Sequence, residues 1–277
     1  MIYIYTCPIA SHAADLFGNP TAIGTPGKIE LQIGGGKSTD LVLDSKKSIA
    51  TLRIGTMSGS QSMPAFTGTL KEDQAFIGLA YAPNSRTQLF ANLGTGKDSG
   101  QQSNSHSIGI KISPDTESSE VRMGLMLRAQ QVKVDIDGPY SLGPYNSLSD
   151  GINISYVGGP LNGTEQIKYT RLDAFFGASK SSGVIRPYGG LCLTRISGTD
   201  TLALDDTITI YSYPIGGGAA TPSTQHVTYN TKSDISGGRY FSGVLGFSIN
   251  PDSELGMTAE FQIGVQRSIM LAGSIRF

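Results

Sequence analysis

The sequence predicts an all-β chain that closes into a single antiparallel transmembrane β-barrel of about 12–14 strands. Three observations lead there. Apolar residues alternate with polar or small ones along most of the chain. Many alternating runs are about 9–13 residues long, near the roughly 9–11 that a tilted strand needs to cross a bilayer, whereas soluble strands average about 5–6. Charges stand singly on one face of those runs, sparser than on the solvated face of a soluble sandwich.

Composition narrows the function classes. The chain has 277 residues, with 21 Lys plus Arg against 22 Asp plus Glu, and a net charge of −1. Such a balance excludes a broadly basic nucleic-acid binder, which needs excess cations against phosphate. Charged residues make up 16%, below the roughly 25% of an ordinary soluble domain. A hydrophobic share of 38% argues against disorder.

From the beginning of the chain, residues 1–13 read as an export signal. Met1 to Ala10 is apolar and uncharged, and Ser11-His12-Ala13 presents small residues at −3 and −1. No Lys or Arg precedes the apolar run, and a first strand over Ile2 to Thr6 is the alternative. Cleavage would remove Cys7 and leave Cys192 alone, so no disulfide framework is expected. Residues 14–26, with Pro20, Gly24 and Pro26, read as an extended lead-in or a lumen plug, and 27–277 as the barrel. The uncharged stretch 207–231 holds Pro214, Pro222 and three consecutive glycines, so it is no spanning helix.

The strands justify themselves by alternation. Ile29, Leu31 and Ile33 flank Glu30; Leu52 and Ile54 flank Arg53; Ile110 and Ile112 flank Lys111. Val121, Met123, Leu125 and Leu127 oppose Arg122 and Arg128, and Val132, Val134 and Ile136 flank Lys133 and Asp135. Separate strands are expected at 182–195 and 204–213, and at 223–231 and 237–249. Leu255, Met257, Phe261 and Ile263 oppose Glu260, and Ile269, Leu271, Ile275 and Phe277 oppose Arg276. With apolar faces toward lipid, the lumen-facing set is Glu30, Arg53, Lys111, Arg122, Arg128, Lys133, Asp135, Arg186, Glu260 and Arg276. Aromatic girdle candidates are Tyr81, Tyr156, Phe176, Tyr188, Tyr229 and Tyr240.

The ending, Ile269, Leu271, Gly273, Ile275 and Phe277, resembles the C-terminal strand of Gram-negative outer-membrane β-barrel proteins. That resemblance implies that Ile269, Leu271, Ile275 and Phe277 form the signal read by the barrel-insertion machinery. It also implies outer-membrane localisation and a periplasmic position for Phe277. Counting back from there makes 250–253 a periplasmic turn and puts 214–223 on the same side, at odds with its length. Polar stretches 58–72, 95–104 and 138–149 are the expected external loops.

Chemical motifs are sparse. Gly34-Gly35-Gly36-Lys37-Ser38 lacks the first glycine of a phosphate loop and reads as a glycine-rich turn. His106 and His226 have no partnering motif, and no metal-ligand spacing occurs, so neither enzyme, metal nor cofactor is expected. Asp115, Glu117 and Glu120 form a solvated acidic turn.

The leading functional expectation is a passive, porin-like pore for small solutes, with membrane lipid as its surroundings. Inward cations outnumber inward anions, so an open lumen would mildly prefer anions. The alternatives are a non-conducting surface barrel for adhesion or for scaffolding a protein partner, a homo-oligomer included, and a soluble secreted β-sandwich.

Overall fold

In the computed structural model the described residues are 16–63, 65, 67–98, 101–114, 120–141, 147–157, 160–180, 183–251, 253–264 and 267–277. The predicted export signal at 1–13, with Cys7, lies outside them, as do Asp115 and Glu117 of the acidic turn. The strands are β1 (Ile29–Asp44), β2 (Ser48–Ile54), β3 (Met57–Met63), β4 (Thr67–Asn84), β5 (Thr87–Asp98), β6 (Gln101–Ile112) and β7 (Val121–Ser141). They continue as β8 (Ser147–Ser149), β9 (Asn153–Tyr156), β10 (Pro160–Lys180), β11 (Ile185–Pro214), β12 (Thr221–Ile249), β13 (Leu255–Gly264) and β14 (Arg267–Arg276). No helix occurs among the described residues.

All fourteen strands belong to one antiparallel sheet, and ten of them close into a ring: β1, β4, β5, β6, β7, β10, β11, β12, β13 and β14. The seam joins first strand to last. Residues 30–39 pair with 276–267, and Ile29 and Phe277 exchange both backbone hydrogen bonds at 3.0 and 3.1 Å. Closure leaves the ring without an edge, which is the condition for a sheet to stand in lipid. It also rules out the two-layered sandwich.

The ring holds fewer strands than the 12–14 expected, for a physical reason. The segments 182–195 and 204–213 are one strand of 30 residues, β11, and 223–231 and 237–249 are one strand of 29, β12. Merging them carries 214–223 to the end opposite Phe277 and removes the conflict in side-counting. The segment 38–57, by contrast, breaks at 45–47 into β1 and β2. Strands β2 and β9 are not members of the ring but pair onto the upper parts of β12 and β11, and β3 and β8 pair onto β2 and β9 in turn. Gly34–Gly36 do not form a turn. They lie inside β1, where a Cβ on Gly34 would stand 2.6 Å from the Phe76 ring, so the bare backbone makes room for that aromatic side chain.

Two storeys result, and the hydrophobic pattern inverts between them. In the lower storey the outward face carries exposed Ile33, Leu79, Ile108, Leu127, Phe176, Leu191, Phe241, Leu245, Phe261 and Leu271. The inward face is mixed, with the buried charges of Arg128, Asp173 and Glu260 beside the apolar side chains of Phe76, Met126, Phe175, Val244 and Met270. In the upper storey the same strands turn their apolar residues inward. Along β7 the exposed apolar residues are Val121, Met123 and Leu127, and the buried ones, of the other parity, are Met126 below and Val132, Val134, Ile136 and Tyr140 above. Strand β10 changes from Leu172 and Phe176 outside to Ile167 and Tyr169 inside, and β11 from Leu191 and Leu193 outside to Ile196, Leu202 and Leu204 inside. Strand β12 shifts register between Arg195 and Ser197 of its partner and then buries Val227, Tyr229 and Ile235. The lower belt is as tall as the 10-residue β14; at about 3.3 Å per residue and a tilt of about 45°, that is roughly 23 Å, close to the apolar band of a membrane barrel.

Above the β13–β14 hairpin the lobe narrows. The end of β1 reaches β12 directly, through the Ser45–Ile235 bridge and Lys46 N–H donating to Asp234 O at 2.8 Å. A narrower ring leaves an interior that side chains can fill. Leu43, Leu52, Ile54, Val134, Leu161, Ile210, Val227 and Tyr229 fill it as one apolar core, with contributions from β1, β2, β7, β10, β11 and β12. Each such side chain contributes about 1.5–3 kcal/mol relative to exposure.

Candidate functional site

The polar interior of the lower storey is the candidate site. Its centre is Asp173 on β10. The carboxylate accepts from Arg128 Nε at 3.0 Å and Nη2 at 2.8 Å on one oxygen, and from Arg171 Nε at 2.8 Å and Thr194 Oγ1 at 2.6 Å on the other. Arg128 and Asp173 are fully buried. Neighbouring strands place them: Asp173 stands opposite Arg128 on β7 and Thr194 on β11, and Arg171 shares the inward parity of β10. Cys192, a buried free thiol, lies beside Asp173 and Thr194.

A second carboxylate, Glu260 on β13, holds the segment that precedes β1. Its two oxygens accept the backbone N–H groups of Phe17 and Gly18 at 2.9 and 2.8 Å, and one also accepts the Tyr188 hydroxyl at 2.9 Å. Phe17 then lies under the guanidinium of Arg128, 4.2 Å from its ring centroid, with Arg171 at 5.5 Å and the Phe175 ring at 5.6 Å. Leu16, Phe17, Asn19 and Thr21 are buried, and Thr21 Oγ1 meets Ser179 Oγ at 2.5 Å. Pro20 passes so close to the wall that a Cβ on Gly124 would stand 2.5 Å from its carbonyl oxygen. Residues 16–21 therefore occupy the lumen. At the lower mouth Glu30 accepts from Arg276 at 3.0 Å and from Gln32 at 2.8 Å.

Of the sequence-predicted lumen residues, Glu30, Lys111, Arg128, Arg186 and Glu260 are buried inside the ring, and Arg122 and Arg276 share their parity, half-buried. Lys111 lies over the Phe90 ring at 6.0 Å. Arg53, Lys133 and Asp135 are corrected: all three stand on the outside of the upper storey. Lys133 and Asp135 form an exposed pair at 2.5 Å, while their neighbours Val132, Val134 and Ile136 supply the dry interior. Expecting the apolar face outward fails there because the upper storey buries that face in a core of its own. Two central residues, Arg171 and Asp173, escape the sequence reading. Their signal was available, as two charges on one face of a run whose other face is Leu172, Ala174 and Phe176.

The terminal residues Ile269, Leu271, Ile275 and Phe277 are exposed on the outer belt. Tyr81 and Phe176 also face out, whereas Tyr188 and Tyr229 are buried inside and leave the girdle. Tyr156 meets Tyr213 at the far tip of the upper storey. His106 is exposed. His226 Nε2 meets Asp205 Oδ1 at 2.6 Å in an exposed pair on the outer face of the upper storey. No group of metal-ligating side chains occurs among the described residues.

Replacing Tyr188 by Phe removes one donor from Glu260 and is expected to cost about 1–2 kcal/mol of stability, read as a lower urea midpoint.

No protein-family model matches the chain, and no characterised protein matches it in sequence. Solved structures of low identity align with most of it. The outer membrane protease OmpT from Escherichia coli is 12% identical, with a TM-score of 0.48, over 91% of this chain and 98% of that one. The translocator domain of the autotransporter NalP from Neisseria meningitidis is 13% identical, with a TM-score of 0.34, over 89% and 88%. The toluene transporter TbuX from Ralstonia pickettii is 8% identical, with a TM-score of 0.21, over 94% and 91%.

Proposed function

We propose that the protein is an outer-membrane barrel closed along its axis, which works through the water-facing surface of its upper storey rather than as an open diffusion pore. One observation carries this reading: two blocks lie in series within the ring. Residues 16–21 fill the lower lumen, and the apolar core fills the upper storey. A cavity of about 40 Å³ lies at the lower mouth, beside Lys111 and Glu30, little more than the roughly 30 Å³ share of one water molecule. The exposed apolar belt supports a membrane setting, since an apolar surface of that extent in water is a liability to association.

Fractionation tests the setting. The chain is expected in the outer-membrane fraction and to migrate differently on a gel before and after boiling; recovery as a soluble protein overturns it. Planar-bilayer recording tests the closure. Barrels with intact gel mobility are expected to show no conductance steps, and regular steps in the wild type overturn the closed reading.

A second reading, a stoppered pore, is favoured by the way Phe17 and Gly18 hang on the single carboxylate of Glu260. Under it, Glu260→Ala releases the segment and yields steps with an anion preference, because Arg128, Arg171, Lys111 and Arg186 would face the freed lumen. The closed reading expects Glu260→Ala to remain silent, since the upper core is untouched.

A further inference from the structure

The ring is not round. On the wall made by β5, β6, β7, β10 and β11 its outer surface is concave, with two recesses stacked along the same five strands. The lower, of about 780 Å³, is apolar and includes Leu127, Ala129, Leu172, Ala174 and Leu193. The upper, of about 820 Å³, is lined by His106, Gln131, Lys133, Lys168 and Thr170 together with apolar surface such as that of Leu93. Local sequence explains the hollow. Ala129 and Ala174 put a single methyl on the outer surface where the adjoining outward positions carry Leu127, Leu172 and Leu193.

Charge is arranged at the boundary between the recesses. Backbone pairing sets Ala129, Leu172 and Arg195 in one row across β7, β10 and β11, and Lys133, Lys168 and Thr199 in the second row above it. Lys133 is paired with Asp135. Lys168 and Arg195 are exposed; neither makes a close ion pair among the described residues, and the charge of Lys168 also acts on the nearby carboxylate of Asp135. Arg195 thus stands beside the apolar furrow that faces outward at the top of the belt, and Lys168 stands above it.

We propose that this wall seats one phosphorylated acyl lipid of the surrounding leaflet, with a chain in the Ala129–Ala174 furrow and the phosphate against Arg195 and Lys168. Charge complementarity commits the site to an anionic head, and the apolar lower recess commits it to a lipid rather than a free anion. A cation near an anionic lipid surface contributes about 1 kcal/mol, or roughly fivefold in affinity. The inference rests on the membrane reading above, and its test is separable from that reading.

The full chain in non-ionic detergent is titrated with bis-phosphorylated lipid A, with phosphatidylcholine and with inorganic phosphate, and retained copies are counted by native mass spectrometry. The wild type is expected to keep one lipid A, little phosphatidylcholine and no phosphate. Arg195→Gln with Lys168→Gln is expected to weaken lipid A binding about 25-fold, the product of the two cation contributions. Ala129→Leu, which fills the furrow, is expected to weaken it while leaving both cations in place. Lys37→Gln, an exposed cation paired with Asp73 on another wall, is expected to change nothing. Equal lipid A binding by the charge variant, equal retention of phosphatidylcholine, or phosphate bound as tightly as lipid A each overturns the proposal. A chain whose gel mobility does not respond to boiling would instead overturn the membrane reading.

Discussion

Asp173→Ala is expected to lower the unfolding free energy of the barrel by about 3–5 kcal/mol, the usual loss when one partner of a buried ion pair is removed. Four donors converge on this carboxylate, two from Arg128 and one each from Arg171 and Thr194. Arginine does not shed its proton in a protein. Without Asp173, the two buried guanidinium groups lose the carboxylate they share, with the Phe17 ring centroid 4.2 Å from Arg128 and 5.5 Å from Arg171. The measurement is the urea midpoint of the boiling-sensitive gel mobility. Replacing Arg128, Arg171 and Asp173 together by apolar residues of similar volume is expected to cost less than Asp173→Ala alone, because no unpaired charge is left behind. A loss within about 1 kcal/mol for Asp173→Ala, the scale of an exposed pair, would mean that water already reaches the triad.

The second large effect is on pH. In the upper storey, outside the belt, Glu165 on β10 and Asp200 on β11 are both buried, and Asp200 Oδ1 has no hydrogen-bond partner. Burial pushes the Glu165 carboxyl up to about 8, with the charge of Asp200 adding to it. Burial likewise raises Asp200 to about 6. Both folded values exceed the unfolded ones of 4.5 and 3.8. The stability these groups contribute is therefore fully present below the unfolded values and is lost as pH rises, through about 6 for Asp200 and about 8 for Glu165. Hydrogen exchange at 160–170 and 197–212, corrected for intrinsic rates, should reveal lobe opening that grows by up to about tenfold per pH unit for each proton released. Glu165→Gln is expected to flatten the part of that slope between pH 6 and 8. A profile flat from pH 5 to 9 in the wild type would show that the two carboxyls are solvated.

Neither effect was legible before the fold was known. Asp173 and Arg171 lie two residues apart, which gives a shared face but not the guanidinium of Arg128, 45 positions away along the chain. Glu165 and Asp200 read as ordinary polar residues of separate strands. Their proximity depends on the pairing of Glu165 with Leu202 and of Ile167 with Asp200 in neighbouring strands. The hold of Glu260 on Phe17 spans 243 positions and has no local signature at all.

By itself the sequence determined that the chain is all-β, that its strands are two-faced, that Phe277 ends an alternating run, and that Glu30, Lys111, Arg128, Arg186 and Glu260 share the polar parity of the lower strands. Local alternation is enough for that, since successive side chains must point to opposite sides of a sheet. Only the tertiary structure decided which face is wet at each height. Exposed apolar residues of β7 end at Leu127, and from Val132 onward its apolar residues are buried, without any break in the strand. A period of two reports that the two faces differ, and it is silent on whether the medium outside is acyl chain or water. That depends on where the ring narrows and fills with its own side chains, which is a property of all the strands together.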